Sequence, residues 1–270
     1  ISASLVGSEM CIRDRDTTFK VSKMAKELKL PLTCIGIPKT VDNDLPITDC
    51  SPGFGSVAKY VATSTLEAGL DVKSMSETST KVFILEVMGR HAGWIAAASA
   101  LAARNETDPP HIILMPEVPF AKKKFIYKVK QTVANEGFCV VVASEGTRYK
   151  NGMFLADSGL TDAFGHKQLG GVAPVLAQMI SSIGLKNHWA VSDYLQRSAR
   201  HISSKTDLDQ AYAVGRKAVE FALAGKNAVM PVIKRLSNKP YKWKIESASL
   251  SKIANVEKTL PQRLHLERWF

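Results

Sequence analysis

Hydrophobic residues follow two alternating patterns along most of the chain. Residues 19–29 place Met24, Leu28 and other apolar side chains at helical spacing, which predicts an amphipathic helix. The next segment, 30–38, is a short apolar run that ends in a proline. Its length and β-branched content favour a buried strand of the parallel type. A polar loop, 39–49, leaves the end of this predicted strand.

The same alternation continues toward the C-terminus. Predicted helices cover 55–70, 92–104, 122–134 and 173–183, and predicted strands cover 81–87, 111–115 and 138–144. Such alternation predicts an α/β fold, in which helices flank both faces of a doubly wound sheet. Residues 145–171 are rich in glycine and predict a loop or a crossing between lobes. A second unit is predicted from the strand 188–193, the helix 207–224 and the strand 228–232.

The composition is that of a globular protein. With 270 residues, 45% of them hydrophobic, the chain can bury one large core or two smaller cores joined at a cleft. No apolar stretch approaches the roughly 20 residues of a membrane-spanning helix, so we expect no membrane association. The cysteines Cys11, Cys34, Cys50 and Cys139 have no CxxC spacing, which favours a reducing cytoplasm.

The net charge of +11 raises the question of nucleic-acid binding. The basic residues are scattered, however, and their densest cluster, 122–124, has no interleaved aromatic residues. This pattern argues against a nucleic-acid partner. It suits an enzyme with anionic substrates, which an excess of positive charge would steer toward the protein.

Residues 1–15, ISASLVGSEMCIRDR, do not resemble the rest of the chain. They begin without Met, lack the order of a signal peptide and show neither strand nor helix patterning. The string resembles a translated sequencing adapter, so we set it aside as a non-native segment. An unusual but genuine N-terminal arm is the alternative.

Three polar clusters follow predicted strands, where ligands gather in open α/β sheets. They are PKTVDNDL (38–45), EVMGRHAGW (86–94) and MPEVPF (115–120). In the second cluster Gly89 lets the backbone approach an anion, Arg90 can bind phosphate oxygens, and the next helix presents unpaired N–H groups.

The first cluster has the residue types needed for phosphoryl transfer. Asp42 can take a proton from a hydroxyl nucleophile, while Lys39 and Thr40 can hold phosphoryl oxygens. The alternatives are a loop-capping aspartate and a surface lysine. Glu117, in the third cluster, is alternatively an ordinary loop carboxylate.

Together with DYLQRS (193–198), these strings resemble, in order, the motifs of the phosphofructokinase family. The resemblance runs from about residue 16 to about residue 231. It implies a two-lobe fold with doubly wound sheets, whose cleft binds fructose 6-phosphate and a phosphoryl donor with Mg²⁺. No metal ligand is assigned from it.

The resemblance also implies roles for single residues. Asp42 is the expected general base for the 1-hydroxyl of the sugar, Thr40 orients the phosphoryl group, and Asp44 supports the loop or the metal-bound phosphate. The residues expected to bind fructose 6-phosphate are Met88, Gly89, Arg90, Glu117, Tyr194 and Arg197.

At three further positions the resemblance leaves alternative interpretations open. Lys81 stands where the family places a basic residue that reaches the substrate in a neighbouring subunit, which implies a homodimer or higher homo-oligomer; a solvated lysine is the alternative. Tyr194 replaces the His of ATP-dependent relatives, and its ring alternatively serves packing. Relatives often carry Arg near His188, so either Lys186 or His188 is expected to substitute for it.

Lys39 indicates the donor. ATP-using members have Gly at this position, and the Lys form resembles the pyrophosphate-dependent branch, since Lys fills nucleotide space and supplies charge to a small polyanion. Asp16 resembles a second marker of that branch, or it caps the first helix. The implied reaction is reversible and glycolytic, forming fructose 1,6-bisphosphate and phosphate.

The Gly-rich phosphate loop and the intact GGD segment of the family are absent, and the family pattern also departs after Glu257. We therefore expect 16–145 to hold the remainder of the donor-binding lobe plus strands of the sugar-phosphate lobe, and 146–270 to hold the sugar-phosphate lobe and a C-terminal segment. We expect the full-length parent to be active and this chain alone to be inactive. The alternatives are an ATP-dependent phosphofructokinase and a non-catalytic regulatory subunit; a lipid or NAD kinase has no other matching motif.

Overall fold

The computed structural model describes residues 11–161, 167–169 and 171–264. The chain divides into two compact units, each built from two segments. Unit 1 comprises Ile1–Gly55 and Ser204–Lys258, and unit 2 comprises Ser56–Ser203 and Thr259–Phe270. The segment 1–10 lies outside the described residues. The expected division of ligand binding at 145/146 stays a prediction.

The described residues form helices and strands in alternation, with short 3₁₀ turns between some of them. In chain order they are α1 (Cys11–Glu27), α2 (Phe54–Met75), β1 (Val82–Val87), α3 (Trp94–Ala98), β2 (Ile112–Leu114), α4 (Lys122–Glu136), β3 (Cys139–Ser144), β4 (Asp157–Thr161), β5 (Lys167–Leu169), α5 (Val172–Ser181), β6 (Asn187–Val191), α6 (Leu195–Ser198), α7 (Lys205–Leu223), β7 (Val229–Asn238) and β8 (Tyr241–Ser249).

Unit 2 is organised around a parallel four-stranded sheet with the strand order β2-β3-β1-β6. Every residue of β3 is buried, as expected for a strand that is covered on both faces. Val82 and Ile84 of β1 pack in one core cluster with residues of α4 and α5. Phe83, on the opposite face of the strand, packs with Val72 of α2. The predicted α/β fold with flanking helices is therefore confirmed.

Unit 1 joins α1, the loop after it, α7 and the antiparallel pair β7–β8. Its core cluster contains Leu45 from the loop, strand residues such as Met230 and Val232, and the buried Leu250 and Ile253 that follow β8. A single bridge pairs Cys50 with Ile233, so the loop ends against β7.

The strand predicted at 30–38 is wrong. In this segment only Ile35 forms a bridge, which pairs with the first residue of β7, Val229. Two backbone bonds, from Gly36 N–H to the Val229 carbonyl and from Ala228 N–H to the Cys34 carbonyl, complete the contact. Because this segment pairs at one residue and not along its length, much of the apolar run is exposed to solvent.

The set of helices and strands predicted for the second unit is also wrong. The strand expected at 188–193 is β6, which pairs with β1 in the four-stranded sheet. The helix at 207–224 and the strand at 228–232 correspond to α7 and β7 of the other unit. The partner strand β8 was not predicted.

Other differences concern boundaries. The first helix begins at Cys11, inside the segment that the sequence analysis set aside, and not near residue 19. The helix predicted at 92–104 divides into α3 and a 3₁₀ turn, Ser99–Ala102. The loop predicted at 145–171 contains the hairpin β4–β5.

Within the described ranges, none of the helices combines the length and the apolarity that crossing a membrane requires. The three cysteines among the residues with described side chains, Cys34, Cys50 and Cys139, are free thiols. Burial raises the pKa of Cys50 to about 11 and that of Cys139 to about 12, so neither is a thiolate near neutral pH.

Two helical glycines should respond oppositely to substitution by alanine. A Cβ at Gly69 of α2 would lie 2.5 Å from Cγ of Pro109, whereas a Cβ at Gly215 of α7 meets nothing within 4 Å. We expect Gly215→Ala to raise the free energy of unfolding by about 0.5–1 kcal/mol. We expect Gly69→Ala to lower it by about 1–3 kcal/mol, because the proline ring cannot yield easily. Urea unfolding followed by circular dichroism measures both, and equal stabilisation by the two variants would contradict the packing at Gly69.

Candidate active site

The parallel sheet of unit 2 brings four loops to one edge. Val87, the last residue of β1, lies opposite Ser144, the last residue of β3. Glu86 lies opposite Val191 at the end of β6. Because parallel strands present their carboxyl ends at the same edge, the residues that follow them become neighbours.

The Met88-Gly89-Arg90 turn follows β1 at this edge and requires close backbone approach. Gly89 has a φ of 124°, and a Cβ there would lie 2.7 Å from the Ala92 carbonyl oxygen. The Ser144 hydroxyl donates to the Gly89 carbonyl. Gly146 is tighter still, since a Cβ there would lie 2.1 Å from the Arg90 carbonyl oxygen. The turn is therefore fixed against the end of β3.

A buried glutamine joins two of the sequence motifs. The Met88 N–H donates to Oε1 of Gln196 at 3.3 Å, and Nε2 of Gln196 donates to the Asp193 carbonyl at 2.9 Å. Gln196 is 2% exposed. The structure thus brings the segment after β1 and the segment after β6 together.

Tyr194 and Arg197 lie on the exposed side of this junction. The Arg197 guanidinium stands 4.0 Å from the centre of the Tyr194 ring. The Tyr194 side chain is exposed, so its ring does not serve core packing. Both side chains are accessible to a ligand in unit 2.

Glu145 lies beside the Met88-Gly89-Arg90 turn and was missed by the sequence analysis. Its Oε1 accepts from the Gly89 N–H at 3.4 Å. Burial raises the pKa of its carboxyl, with Asp193 adding to the rise, while the nearby Arg90 opposes it. The available signal was its position directly after β3, since the other three clusters also follow strands.

Glu117 makes a different set of contacts. Its Oε1 accepts from the N–H groups of Gly93, at 2.9 Å, and Leu260, at 2.8 Å. Its Oε2 is buried and has no hydrogen-bond partner among the described residues. A Cβ on Gly93 would lie 2.7 Å from that oxygen. Glu117 is held firmly, and its sugar-binding role stays a prediction.

Lys81 and Lys186, two of the other residues that were predicted to bind the sugar phosphate, have partners within unit 2. The Lys81 ammonium donates to the Ser76 carbonyl. The Lys186 ammonium donates to the Ser79 hydroxyl at 2.9 Å, and His188 is exposed on β6. The role of Lys81 toward a neighbouring subunit and the choice between Lys186 and His188 stay predictions.

Unit 1 holds the loop with Lys39, Thr40, Asp42 and Asp44. The Thr40 hydroxyl is buried with its side chain and accepts from the Asp42 N–H at 3.1 Å. Lys39 is exposed, Asp42 is half-buried and Asp44 is buried. One short loop therefore presents an exposed cation next to an accessible carboxylate, which suits proton transfer beside a bound polyanion.

Asp16 does not cap the first helix, because α1 begins five residues earlier, at Cys11. Its carboxylate pairs with Lys20 one turn further on, at 2.6 Å, and the hydrogen bond from Lys20 lowers the pKa of Asp16. The preceding Arg15 is buried and donates to the carbonyl oxygens of Ile37, at 2.8 Å, and Lys39, at 3.4 Å. The donor-binding role of Asp16 stays a prediction.

Lys258 is a second residue that the sequence analysis missed. Its ammonium donates to the Thr48 carbonyl at 2.8 Å and to Oδ1 of Asn43 at 3.2 Å. Burial lowers its pKa to about 8, although Asp49 and Asp44 oppose this change. No spacing or pattern in the sequence points to this contact.

A dedicated protein cage for a metal ion is not found in the part of the chain that the structure describes. No group of three or more His, Cys, Asp or Glu side chains there could hold a metal ion. Mg²⁺ keeps several waters and is commonly bound by one or two carboxylates together with substrate phosphates. Of the loop carboxylates, Asp44 fits that second mode, in which the phosphates of a substrate would supply further ligands.

Known proteins match this chain over most of its length. A pyrophosphate–fructose 6-phosphate 1-phosphotransferase from Halomonas elongata is 64% identical over 92% of this chain and 59% of the relative. One with the same name from Methylococcus capsulatus is 58% identical over 91% of this chain and 59% of the relative.

A solved structure is also similar. The pyrophosphate-dependent phosphofructokinase of Marinobacter aquaeolei is 58% identical, with a TM-score of 0.85, over 96% of this chain and 62% of that one. The chain thus spans about three-fifths of the length of these relatives. The family model described as Phosphofructokinase matches residues 15–222, and the chain therefore belongs to the phosphofructokinase family.

Proposed function

We propose that this chain carries the acceptor site and the catalytic loop of a pyrophosphate-dependent phosphofructokinase. The reaction converts fructose 6-phosphate and pyrophosphate to fructose 1,6-bisphosphate and phosphate, reversibly, as a step of glycolysis. The observation that carries the proposal is identity of 58–64% to relatives that bear this name, over more than nine-tenths of the chain.

Asp42 acts as the general base in this proposal. Its half-buried carboxylate takes the proton of the sugar 1-hydroxyl while that oxygen forms a bond to the terminal phosphorus of pyrophosphate. The bridging P–O bond breaks, and its electron pair leaves with phosphate. The Thr40 hydroxyl, held by the Asp42 N–H, orients the transferred group, and Asp44 supports the loop or the metal-bound phosphate.

Lys39 is the residue that favours pyrophosphate over ATP. It is exposed on the loop, where its ammonium can neutralise a small polyanion as charge develops. Asp44 and the pyrophosphate oxygens would hold Mg²⁺, which would neutralise phosphate charge there. Asp16, held by Lys20, contributes to the donor side.

The sugar phosphate is bound in unit 2 by the residues around the Met88-Gly89-Arg90 turn. Arg90 and Arg197 supply planar guanidinium groups for the phosphate, and the exposed Tyr194 ring lies beside them. Glu145 is adjacent to Gly89 and is the better placed of the two glutamates for a sugar hydroxyl. Glu117 already uses Oε1 for two backbone groups, which leaves its buried Oε2 for a ligand.

We also propose that the protein forms at least a homodimer in the cytoplasm. The edge strand β6 leaves Trp189 and Val191 exposed, at 47% and 40%, and apolar edge strands favour association. Free thiols at Cys34, Cys50 and Cys139 suit a reducing compartment.

The main test is phosphoryl transfer by the chain completed with its genomic flanking sequence, with the 270-residue chain beside it. We expect Asp42→Asn to lower kcat about 100-fold or more with pyrophosphate, because the base is lost. Asp209→Asn is the control, since this exposed carboxylate of α7 pairs with Lys205 on the surface of the same helix.

The donor comparison uses the same assay. Activity with ATP and none with pyrophosphate would contradict the role of Lys39 and favour the ATP-dependent alternative. Inactivity of the completed chain with both donors would favour a regulatory subunit.

Substitution of the two glutamates should change the KM for fructose 6-phosphate to different extents in the same assay. Glu145→Gln removes a half-buried carboxyl next to Arg90, so we expect the KM for fructose 6-phosphate to rise about 10-fold or more. Glu117→Gln keeps an oxygen for the Gly93 and Leu260 amides, and we expect a smaller rise. A larger effect of Glu117→Gln would restore Glu117 as the main sugar ligand.

The oligomer proposal is tested by sedimentation equilibrium of the completed protein at micromolar concentration. We expect a dimer or larger species, and Trp189→Lys should shift it toward monomer because a charge at a buried contact costs free energy. A monomeric wild-type protein would contradict the proposal.

A further inference from the structure

Lys258 bonds the catalytic loop at both sides of a turn, although it lies 215 residues from Asn43 and 210 from Thr48 along the chain. Its ammonium reaches Oδ1 of Asn43 at 3.2 Å and the Thr48 carbonyl at 2.8 Å. Its backbone N–H donates to the Asp44 carbonyl at 2.6 Å. One residue thus bonds to three points of the loop that carries Asp42.

The loop needs such support because its backbone is strained. Asn43 has a φ of 56° and Ile47 a φ of 69°, both in the left-handed region. That region is unfavourable for a β-branched residue such as Ile, and such conformations persist only where surrounding contacts impose them. Asn43 directly follows Asp42, so the conformation of Asn43 governs where the Asp42 carboxylate points.

Two further hydrogen bonds at the turn are made by neutral groups. The Ser51 N–H donates to the same Oδ1 of Asn43 at 2.9 Å, and the Thr48 hydroxyl accepts from the Ile233 N–H at 3.1 Å. The Lys258 ammonium adds charged donors to these contacts. Its hydrogen bonds are stronger than those between neutral groups.

Burying an ammonium is unfavourable, and in Lys258 this cost lowers the pKa of the group to about 8. Asp49 and Asp44 favour the charged form, while Lys234 opposes it. A lysine with only a surface role would keep its ammonium in water. The burial here is explained by the acceptors that the loop provides.

We propose that Lys258 is a positioning residue, whose ammonium holds the turn from Asn43 to Thr48 in the conformation that presents Asp42 to the sugar hydroxyl. This inference rests on the function proposed above, because it takes Asp42 as the base. Lys258 itself does not touch the substrate in this proposal.

The first test compares Lys258→Met with Lys252→Met in the completed protein. Lys252 is exposed on the same C-terminal segment and serves as the control. We expect Lys258→Met to lower kcat about 10- to 100-fold with the KM for fructose 6-phosphate unchanged, since misplacement of a catalytic group costs rate and not binding. Lys258→Arg keeps the charge and should recover part of kcat. An unchanged kcat in Lys258→Met would overturn the inference.

A double mutant separates positioning from general stability. If Lys258 acts through Asp42, then adding Lys258→Met to Asp42→Asn should cost no further activity. Losses that multiply would show that Lys258 acts elsewhere and would overturn the inference. Full activity of Asp42→Asn alone would instead refute the assignment of Asp42 as the base. Failure of the inference about Lys258 can therefore be told apart from failure of the proposed function.

Hydrogen exchange tests the same contact without any activity. In Lys258→Met, or in Lys258→Arg if the first variant does not fold, peptides that span 40–51 should exchange faster than in the wild type. Peptides from β3 should remain protected, because that strand is buried in the other unit. Unchanged exchange in the loop would overturn the inference even if activity fell.

Discussion

The parallel register of the four-stranded sheet is the constraint on which the candidate sugar-binding residues depend. Gly89 and Glu145 are 56 residues apart, and Met88 and Gln196 are 108 apart, yet each pair is joined by a hydrogen bond. These bonds exist because β1, β3 and β6 end at one edge in matched register. The polar contacts then fix loops that the register has already brought together.

The same constraint explains how much of the fold could be predicted from the sequence. β1 and β3 each begin with a continuous apolar run, 82–85 and 139–143, because both faces of these strands are covered, so their positions are visible in the sequence alone. The run 30–38 has a similar composition but forms only one bridge, since pairing is decided by the partner available and not by the segment. The edge strand β6 was predicted, but its pairing with β1 was not, because the sequence of a strand does not specify its partner.

The same distinction between local and long-range contacts decides which residues of the candidate site could be predicted from the sequence. Residues within one motif, such as the Met88-Gly89-Arg90 turn or the loop with Asp42, could be predicted because their chemistry is local. Glu145 was available to the same reasoning, since it follows a strand, but it opens a glycine-rich loop and was read as part of it. Lys258 was not available, because its role comes from a contact that only the folded chain creates.

Charge at the edge of the sheet argues for arginine as the phosphate ligand. Burial is the main cause that raises the pKa of Glu86 and Glu145, and Asp193 raises both further. A phosphate placed beside these carboxylates would be repelled unless a cation stood between them. Arg90 already opposes the rise at Glu145, and its fork of donors can serve a phosphate at the same time, which a single ammonium could not do as well. Arg197, stacked on Tyr194 in an exposed position, adds a second such group without the cost of burial. The acidic edge therefore favours planar, always charged ligands, and this chain has one on each of the two loops that flank it.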